Sequence, residues 1–159
     1  MKSVEDILNL SKKYLNGHAN MNLRFKRWRE VAYPIVKNTL YNITRELTAQ
    51  NEYFKNNLYV VDGNPDVGIY LKSGKVIVPV PGENFYEEGF QIHFSQVSNG
   101  TINVFIKEHA IEKEGNYFAI ALIDDPLKLT EEYVIELVYN GLEMVYKTSF
   151  LYAGDSSLV

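Results

Sequence analysis

The sequence has no cysteine among its 159 residues. This absence excludes disulfides, thiolate zinc sites and cysteine nucleophiles, and it is compatible with a reducing compartment. Basic charge is also scarce, because 16 Lys and Arg stand against 20 Asp and Glu, for a formal net charge of −4. We therefore expect no overall positive field and no nucleic acid as a partner.

Long apolar runs are missing as well. No stretch approaches the roughly 20 apolar residues that a bilayer span requires. Acidic residues interrupt the N-terminal segment MKSVEDILNLSKKYL where a signal peptide would carry its apolar region. These absences predict that the protein has no membrane partner and is cytoplasmic.

Motifs of known chemistry are absent from the sequence too. It contains no Gly-x-Ser-x-Gly, no P-loop, no dinucleotide-binding glycine pattern and no His-Glu-x-x-His. We therefore expect no catalytic residue, no cofactor-binding residue and no metal ligand.

Hydrophobic periodicity predicts a single α+β domain over residues 1–159, a length that is sufficient for a sizeable core. Residues 3–55 have helical spacing and form two N-terminal helical segments, with a break predicted at NGHAN, residues 16–20. Residues 58–123 alternate with a period of two. A long C-terminal helix is predicted over residues 130–152.

The apolar stripe of the second helical segment changes direction near a proline. At 100° per residue, the stripe through Trp28, Val31 and Ile35 is offset by about one residue step from a second stripe that begins at Val36. Proline removes a backbone donor and costs a helix interior about 3 kcal/mol. We therefore predict a kink or a break near Pro34, which leaves open whether residues 22–55 form one kinked helix or two.

The alternating region predicts a six-stranded antiparallel β-meander, with the C-terminal helix packed on it. A two-residue loop at Ser73-Gly74 would pair Leu71 with Val76 and place the apolar residues of both strands on one face. The final helix has an apolar arc of roughly 200° and should be covered on two sides. The six strands are expected near residues 58–62, 67–72, 75–80, 89–97, 101–109 and 117–123.

The register of the fourth and fifth predicted strands depends on the Asn-Gly turn between them. A two-residue turn, which Asn-Gly favours, would put the large apolar residues of the two strands on opposite faces. A three-residue loop with a left-handed Gly100 pairs Val97 with Thr101 and places six large apolar residues on one face. Burying each such side chain contributes roughly 1.5–3 kcal/mol, so we predict the three-residue loop.

The same register separates two of the three histidines. His93 lies opposite Phe105, and His109 lies four residues further along the neighbouring strand, roughly 14 Å away at about 3.4 Å per residue. Two imidazoles on one zinc must each lie about 2.1 Å from it. We therefore predict that both are solvated strand residues. Phe105 lies among these polar residues and should be covered by another group.

Two segments imitate ligand-binding motifs without completing them. DGNPDVGIYLKS, residues 62–73, begins like a calcium loop but has Val67 at the glycine position and Ser73 at the final acidic position, so we interpret it as a turn. The basic side chains of RFKRWRE, residues 24–30, encircle a helix rather than form a patch. This pattern indicates a solvated helix in which Trp28 enters the core.

Two patterns near the C-terminus carry less information. Asp124 and Asp125 would point to opposite faces of a strand, and acids before a helix start are common, so a catalytic carboxylate pair is not expected. The last four residues, SSLV, resemble a PDZ-type carboxylate ligand, a pattern that often arises by chance.

Surplus apolar surface is the main functional signal. It predicts a non-catalytic protein-interaction or adaptor module that self-associates through its long helices, with another copy of itself or another protein as partner. Twelve tyrosines agree with this, because tyrosine combines an apolar body with a polar tip. The candidate interaction surface comprises Phe105, Tyr139, Leu142, Tyr146, Leu40 and Leu47.

Two other functions remain open. Ala119 and Ala121 give one strand a small face that a helix or a ligand would approach closely. The order of two helices, six strands and a long helix is similar in outline to helix-grip lipid-binding folds, although it lacks their leading strand. This resemblance implies a carrier or sensor of an apolar small molecule held between sheet and helix. An enzyme with no recognisable motif is the third alternative.

Overall fold

The computed structural model describes residues 1–152, except for the side chains of residues 79 and 80. The α+β class is confirmed, but the structure has eight strands in two antiparallel sheets rather than six in one meander. The C-terminal SSLV lies outside the described residues. The helices are α1 (Val4–Arg27), α2 (Tyr33–Gln50), the single turn α3 (Asn64–Val67) and α4 (Glu131–Tyr146), with a π-helical turn at Trp28–Ala32 between α1 and α2.

The helical region from α1 to α2 is continuous. Ser3 caps α1 through a capping box with Asp6, which satisfies backbone donors at the helix start. The predicted break at residues 16–20 is wrong. Gly17 is exposed within α1, and a single glycine costs a helix only about 1 kcal/mol relative to alanine. Residues 22–50 therefore belong to one helix rather than two, and this helix ends at Gln50 rather than at residue 55 as predicted.

The π-helical turn aligns Trp28 with the later apolar stripe at Val36 and Leu40, and all three are buried. Val31, which was predicted on the same stripe as Trp28, is 42% exposed. The N–H of Tyr33 donates to the carbonyl of Trp28, five residues earlier. A π-helical turn adds one residue to the helix, so every later side chain is rotated by one residue step. The turn ends just before Pro34, whose missing N–H leaves an intrahelical bond unmade. The irregularity predicted near Pro34 is therefore a local widening of the helix.

All strand pairs are antiparallel, and the strands divide between two sheets. The larger sheet has the order β1-β2-β5-β6-β8, and the smaller has the order β3-β4-β7. The bounds are Leu58–Asp62 (β1), Ile69–Ser73 (β2), Val76–Val80 (β3), Glu83–Glu88 (β4), Gln91–Gln96 (β5), Ile102–Lys107 (β6), Ala110–Ile111 (β7) and Tyr117–Ile123 (β8).

The predicted hairpin between β2 and β3 is wrong. Leu71 lies opposite Ile92 of β5, while Val76 lies opposite Glu87 of β4. Val67, the first residue of the second predicted strand, lies instead in α3 and is exposed. The chain therefore leaves the larger sheet after β2, forms the β3–β4 hairpin, and returns as β5.

Close backbone packing explains where the chain leaves the larger sheet and where it returns to that sheet. The Ser73 hydroxyl accepts a hydrogen bond from the Phe90 N–H at 2.9 Å. A Cβ on Gly89 would lie 1.8 Å from the Ser73 carbonyl oxygen, so no side chain fits there. These contacts hold the start of β5 against the end of β2.

The β5–β6 register is confirmed. The Val97 N–H donates to the Thr101 carbonyl at 2.9 Å, and Gly100 has a left-handed φ of 84°. Phe94 lies opposite Val104, and both side chains are fully buried. Apolar burial therefore overrides the turn preference of Asn-Gly, as the sequence predicts.

The core lies between one face of the larger sheet and the helices α2 and α4. Helix α4 contacts both α2 and strands β5, β6 and β8, but Ile135, Tyr139 and Tyr146 of its predicted apolar arc are exposed, so the predicted two-sided cover is only partial. It ends at Tyr146 rather than at residue 152. Gly141 gives the close approach of helix to sheet, since a Cβ there would lie 2.9 Å from Ile92 Cδ1. Ala119, where a close approach was predicted, is exposed instead.

The contact between α1 and the β5–β6 loop can be tested by comparing two glycines. Gly100 and Gly82 have nearly equal left-handed φ values of 84° and 87°, so alanine should cost each about 1–2 kcal/mol of backbone strain. At Gly100 the new Cβ would also lie 2.7 Å from Arg24 Cβ, whereas at Gly82 nothing lies within 4 Å.

We expect Gly100→Ala to lower the free energy of unfolding by about 1–3 kcal/mol more than Gly82→Ala does, because overpacking adds to the strain. Urea denaturation of both variants measures the difference. Equal losses would contradict the packing of this loop on α1.

Candidate functional site

A pocket of about 330 Å³ lies between the segment after α2, the last turns of α4 and the edges of the sheets. We name it the end pocket. Its walls are mainly apolar and aromatic, which is typical of small-molecule sites. The lining residues are Asn51, Tyr53, Phe54, Phe90, His109, Leu142, Val145, Tyr146, Ser149 and Leu151.

A tight turn after α2 forms one wall of the end pocket. The Asn51 side chain accepts a hydrogen bond from the Tyr53 N–H at 2.9 Å, and the Asn51 carbonyl accepts one from the Phe54 N–H at 3.1 Å. The turn directs the Phe54 ring towards Phe90, with the ring centroids 6.4 Å apart in an edge-to-face arrangement. A local Asn turn therefore sets this aromatic wall.

A buried carboxylate lies beside the pocket. Glu87 of β4 is only 1% exposed. Its Oε1 accepts a hydrogen bond from the Phe150 N–H at 3.0 Å, and its Oε2 accepts one from the Ser149 hydroxyl at 3.2 Å. A buried carboxylate needs such donors to offset its lost hydration. Glu87 thereby ties the smaller sheet to the turn that follows α4.

His109 has a defined tautomer. Its Nδ1 lies 3.2 Å from the Glu88 carbonyl oxygen and 3.6 Å from Glu87 Oε1. A carbonyl oxygen only accepts, so Nδ1 carries the proton and Nε2 is an acceptor. Nε2 makes no hydrogen bond within residues 1–152. Burial lowers the pKa of His109, although the Glu87 charge opposes this, so the ring is neutral at neutral pH.

Tyr53 contributes a second polar group near the pocket. Its ring lines the pocket, and its hydroxyl is buried without a hydrogen-bond partner among the described residues. Burial, followed by the Glu87 charge, raises the pKa of Tyr53, which keeps the hydroxyl protonated. Such unpaired buried hydroxyls are uncommon in folded proteins.

Residues 1–20 form a second distinctive feature, which we name the N-terminal arm. Every one of these residues is exposed in the described structure, and α1 as a whole contains no buried residue. Contact with the body begins where Gly100 lies against Met21 and Arg24. An ion pair of 2.7 Å between Arg27 and Asp125 follows. The large apolar residues on the helical part of the arm are Val4, Ile7, Leu8, Leu10, Tyr14 and Leu15.

The six residues of the predicted interaction surface do not form one patch. Leu47, Tyr139 and Leu142 line a shallow apolar groove between α2 and α4. Tyr146 lines the end pocket with Leu142. Leu40 is 0% exposed and packs in the core, so it presents no surface to a partner.

Phe105 lies on the other face of the larger sheet, among aromatic rings. The centroid of the His93 ring lies 4.5 Å from that of Phe105 and 4.9 Å from that of Tyr70. Tyr117 covers another side of Phe105 at 6.1 Å. The cover expected for Phe105 therefore comes from its own sheet.

The prediction that both histidines are solvated is wrong. Tyr70 of β2 packs against His93 of β5. The prediction paired β2 with β3 and therefore did not bring these two rings together. His93 Nε2 is buried and makes no hydrogen bond in the described chain, although the nearby Val67 carbonyl favours the protonated form. Burial is the larger effect and lowers the pKa of His93. His109 is 8% exposed because β6 ends at Lys107, before the alternation could place it on the outer face.

The segment that imitates a calcium loop is held by ion pairs. Asp62 pairs with Lys37 Nζ at 2.7 Å and accepts a hydrogen bond from the Tyr33 hydroxyl, and Asp66 pairs with Arg29. The Lys37 interaction is the main cause of the lowered pKa of Asp62. Among residues 1–152, no cluster of three or more acidic or histidine side chains is arranged to hold a metal ion.

The remaining sequence patterns are accounted for by structural contacts. Trp28 is 1% exposed and donates its indole N–H to the Pro65 carbonyl at 2.9 Å. Asp124 pairs with Lys128 at 2.6 Å, while Asp125 pairs with Arg27. No helix within residues 1–152 has the length and hydropathy of a bilayer span.

Comparison with known proteins adds no relative. No protein-family model matches the chain, and searches of curated proteins and of solved structures return no significant match.

No pattern in the sequence predicts the end pocket. Glu87 lies in β4, a strand that was not predicted, because ENFYEE reads as a charged loop. No spacing in the sequence connects Glu87 with Ser149 or Phe150, which lie more than sixty positions later. The Tyr53-Phe54 pair after the helix was the one visible signal, since two aromatic residues in a connecting segment need cover.

Burial of His93 predicts a pH-dependent stability. The pKa of His93 in the folded state lies below the ordinary histidine value of 6.5, so the unfolded chain takes up the proton first as the pH falls. The stabilisation by the neutral ring is therefore complete above about pH 6.5 and is lost below it.

We expect His93→Phe, which keeps a ring and removes the buried nitrogen, to be more stable than the wild type at low pH. The difference should grow by up to about 1.4 kcal/mol per pH unit below about pH 6.5. Urea denaturation at about pH 7.5 and about pH 5 measures it. A constant difference between variant and wild type would contradict the buried neutral His93.

Proposed function

We propose that this chain is a non-catalytic, cytoplasmic protein-interaction module that self-associates through its N-terminal arm. The observation that carries the proposal is a helical arm with six large apolar side chains and no cover from the described chain. Most of the stability of a helix in a protein comes from packing of its apolar face, and contiguous exposed apolar surface marks interaction sites. The absence of cysteine agrees with a cytoplasmic location.

Charge complementarity supports a second copy of the chain as the partner. The first turn of α1 carries Glu5 and Asp6, and its last turn carries Arg24 and Lys26, while the third basic residue there, Arg27, pairs with Asp125. When two copies of α1 pair in opposite directions, the acidic end of each lies beside the basic end of the other. A two-fold axis repeats this contact, so one surface is complementary to itself.

The size of the contact sets the expected affinity. Helix α1 has 24 residues, which is a length of about 36 Å. A pair of such helices buries less than the roughly 800 Å² per partner of a standard interface. We therefore expect a dissociation constant in the micromolar range, which is about −8 kcal/mol.

Light scattering with size-exclusion chromatography, over loaded concentrations of about 1–200 µM, tests the assembly. We expect the wild type to shift from monomer to dimer and Leu8→Glu/Leu15→Glu to stay monomeric, because the substitutions place charge within the apolar face. Asn9→Glu/Asn16→Glu adds the same charge on the polar face and should still dimerise. A monomeric wild type at every concentration, or dimers of the Leu8/Leu15 variant, would refute the proposal.

The orientation has its own measurement. The absence of cysteine lets a single spin label be attached at Lys2→Cys. Antiparallel arms place the two labels roughly 40 Å apart along the helix axis, whereas parallel arms place the labelled backbones roughly 10 Å apart. A short distance in the dimer would overturn the antiparallel arrangement but not self-association.

A further inference from the structure

The end pocket has the size of a small-molecule site. Its volume is about 330 Å³, and an apolar cavity of roughly 150 Å³ suffices to hold benzene. Phe54 and Phe90 provide aromatic walls, and Leu142 and Val145 of α4 provide an aliphatic one. A molecule with two fused aromatic rings fits this volume and these walls.

One side chain of the lining sets the polar requirement. Nδ1 of His109 is engaged by the Glu88 carbonyl, so the ring offers a single acceptor at Nε2, which has no partner within residues 1–152. The Tyr53 hydroxyl also has no partner among the described residues, but it is buried away from solvent. A single acceptor on an apolar wall selects a ligand with one hydrogen-bond donor. A ligand without a donor would leave this nitrogen unpaired and desolvated.

The buried carboxylate beside His109 sets the charge requirement. Glu87 Oε1 lies 3.6 Å from His109 Nδ1, and its hydrogen bonds to Ser149 and Phe150 hold it in place. A second negative charge close to this buried carboxylate would be repelled. The pocket therefore disfavours carboxylates such as fatty-acid anions.

We propose that the end pocket binds a neutral aromatic alcohol of about two rings, whose hydroxyl donates to Nε2 of His109. This site is separate from the N-terminal arm and does not depend on self-association. The ligand class is defined by three observations: the aromatic walls, the single acceptor and the adjacent carboxylate.

The test uses three probes that differ in one group: 2-naphthol, naphthalene and 2-naphthoate. Binding of each to the full chain is followed by probe fluorescence at about pH 7.5. We expect 2-naphthol to bind about five- to tenfold more tightly than naphthalene, which is the effect of one hydrogen bond, and 2-naphthoate to bind least. No binding of 2-naphthol, or equal or tighter binding of 2-naphthoate, would overturn the proposal.

Two variants locate the site. Leu151 lines the pocket and is 44% exposed, whereas Leu127 is 46% exposed and is not part of the lining. Leu151→Trp should fill the pocket and abolish binding, and Leu127→Trp should leave it unchanged. Binding that survives Leu151→Trp would overturn the location. Circular dichroism verifies that both variants are folded, and Leu151→Phe replaces Leu151→Trp if the latter is not.

A third variant tests the acceptor. His109→Phe keeps an aromatic ring but removes Nε2, so 2-naphthol and naphthalene should bind it equally. A retained preference for 2-naphthol would refute the role of His109. The arm variant Leu8→Glu/Leu15→Glu should bind 2-naphthol like the wild type, which separates failure of this site from failure of the proposed assembly.

Discussion

Burial of one face of the five-stranded sheet is the constraint on which the structure depends. Strands β5 and β6 place Phe94 and Val104 on the same face only with the three-residue loop that ends at a left-handed Gly100. The helices α2 and α4 then cover this face. Because these two helices satisfy the core, α1 has no apolar surface of the larger sheet left to cover, and its first twenty residues are exposed to solvent.

The polar contacts around Glu87 have a different role from that of the core. They join β4, the strand edge at His109 and the turn after α4, which are distant in sequence. A buried carboxylate that loses its donors is strongly destabilising, so the three segments are held in one arrangement. The same arrangement leaves an apolar pocket in which Nε2 of His109 has no hydrogen-bond partner within residues 1–152. The contacts around Glu87 therefore hold the three segments together and also shape the proposed ligand site.

The sequence was most informative where one local pattern decided between two structures. The one-residue offset beside Pro34 corresponds to the extra residue of the π-helical turn, and apolar burial selected the correct β5–β6 loop. Sequence patterns failed to predict the structure where a contact between distant residues determines it. The segment from Val76 onward alternates like a strand of the main sheet, but the close contact between Ser73 and Gly89 sends it into a second sheet. The solvated position predicted for His109 was wrong for the same reason, because the burial of this residue depends on the second sheet.

In the proposed assembly, the N-terminal arm is a helix whose stability depends on a partner rather than on the folded body. Amide hydrogen exchange at several protein concentrations tests this most directly, with α2 as the internal reference. We expect the amides of residues 4–20 to exchange rapidly at low concentration and to become protected as the concentration rises, while α2 stays protected throughout. Protection of residues 4–20 that is independent of concentration would contradict this dependence on a partner, because the arm would then be stabilised by its own chain.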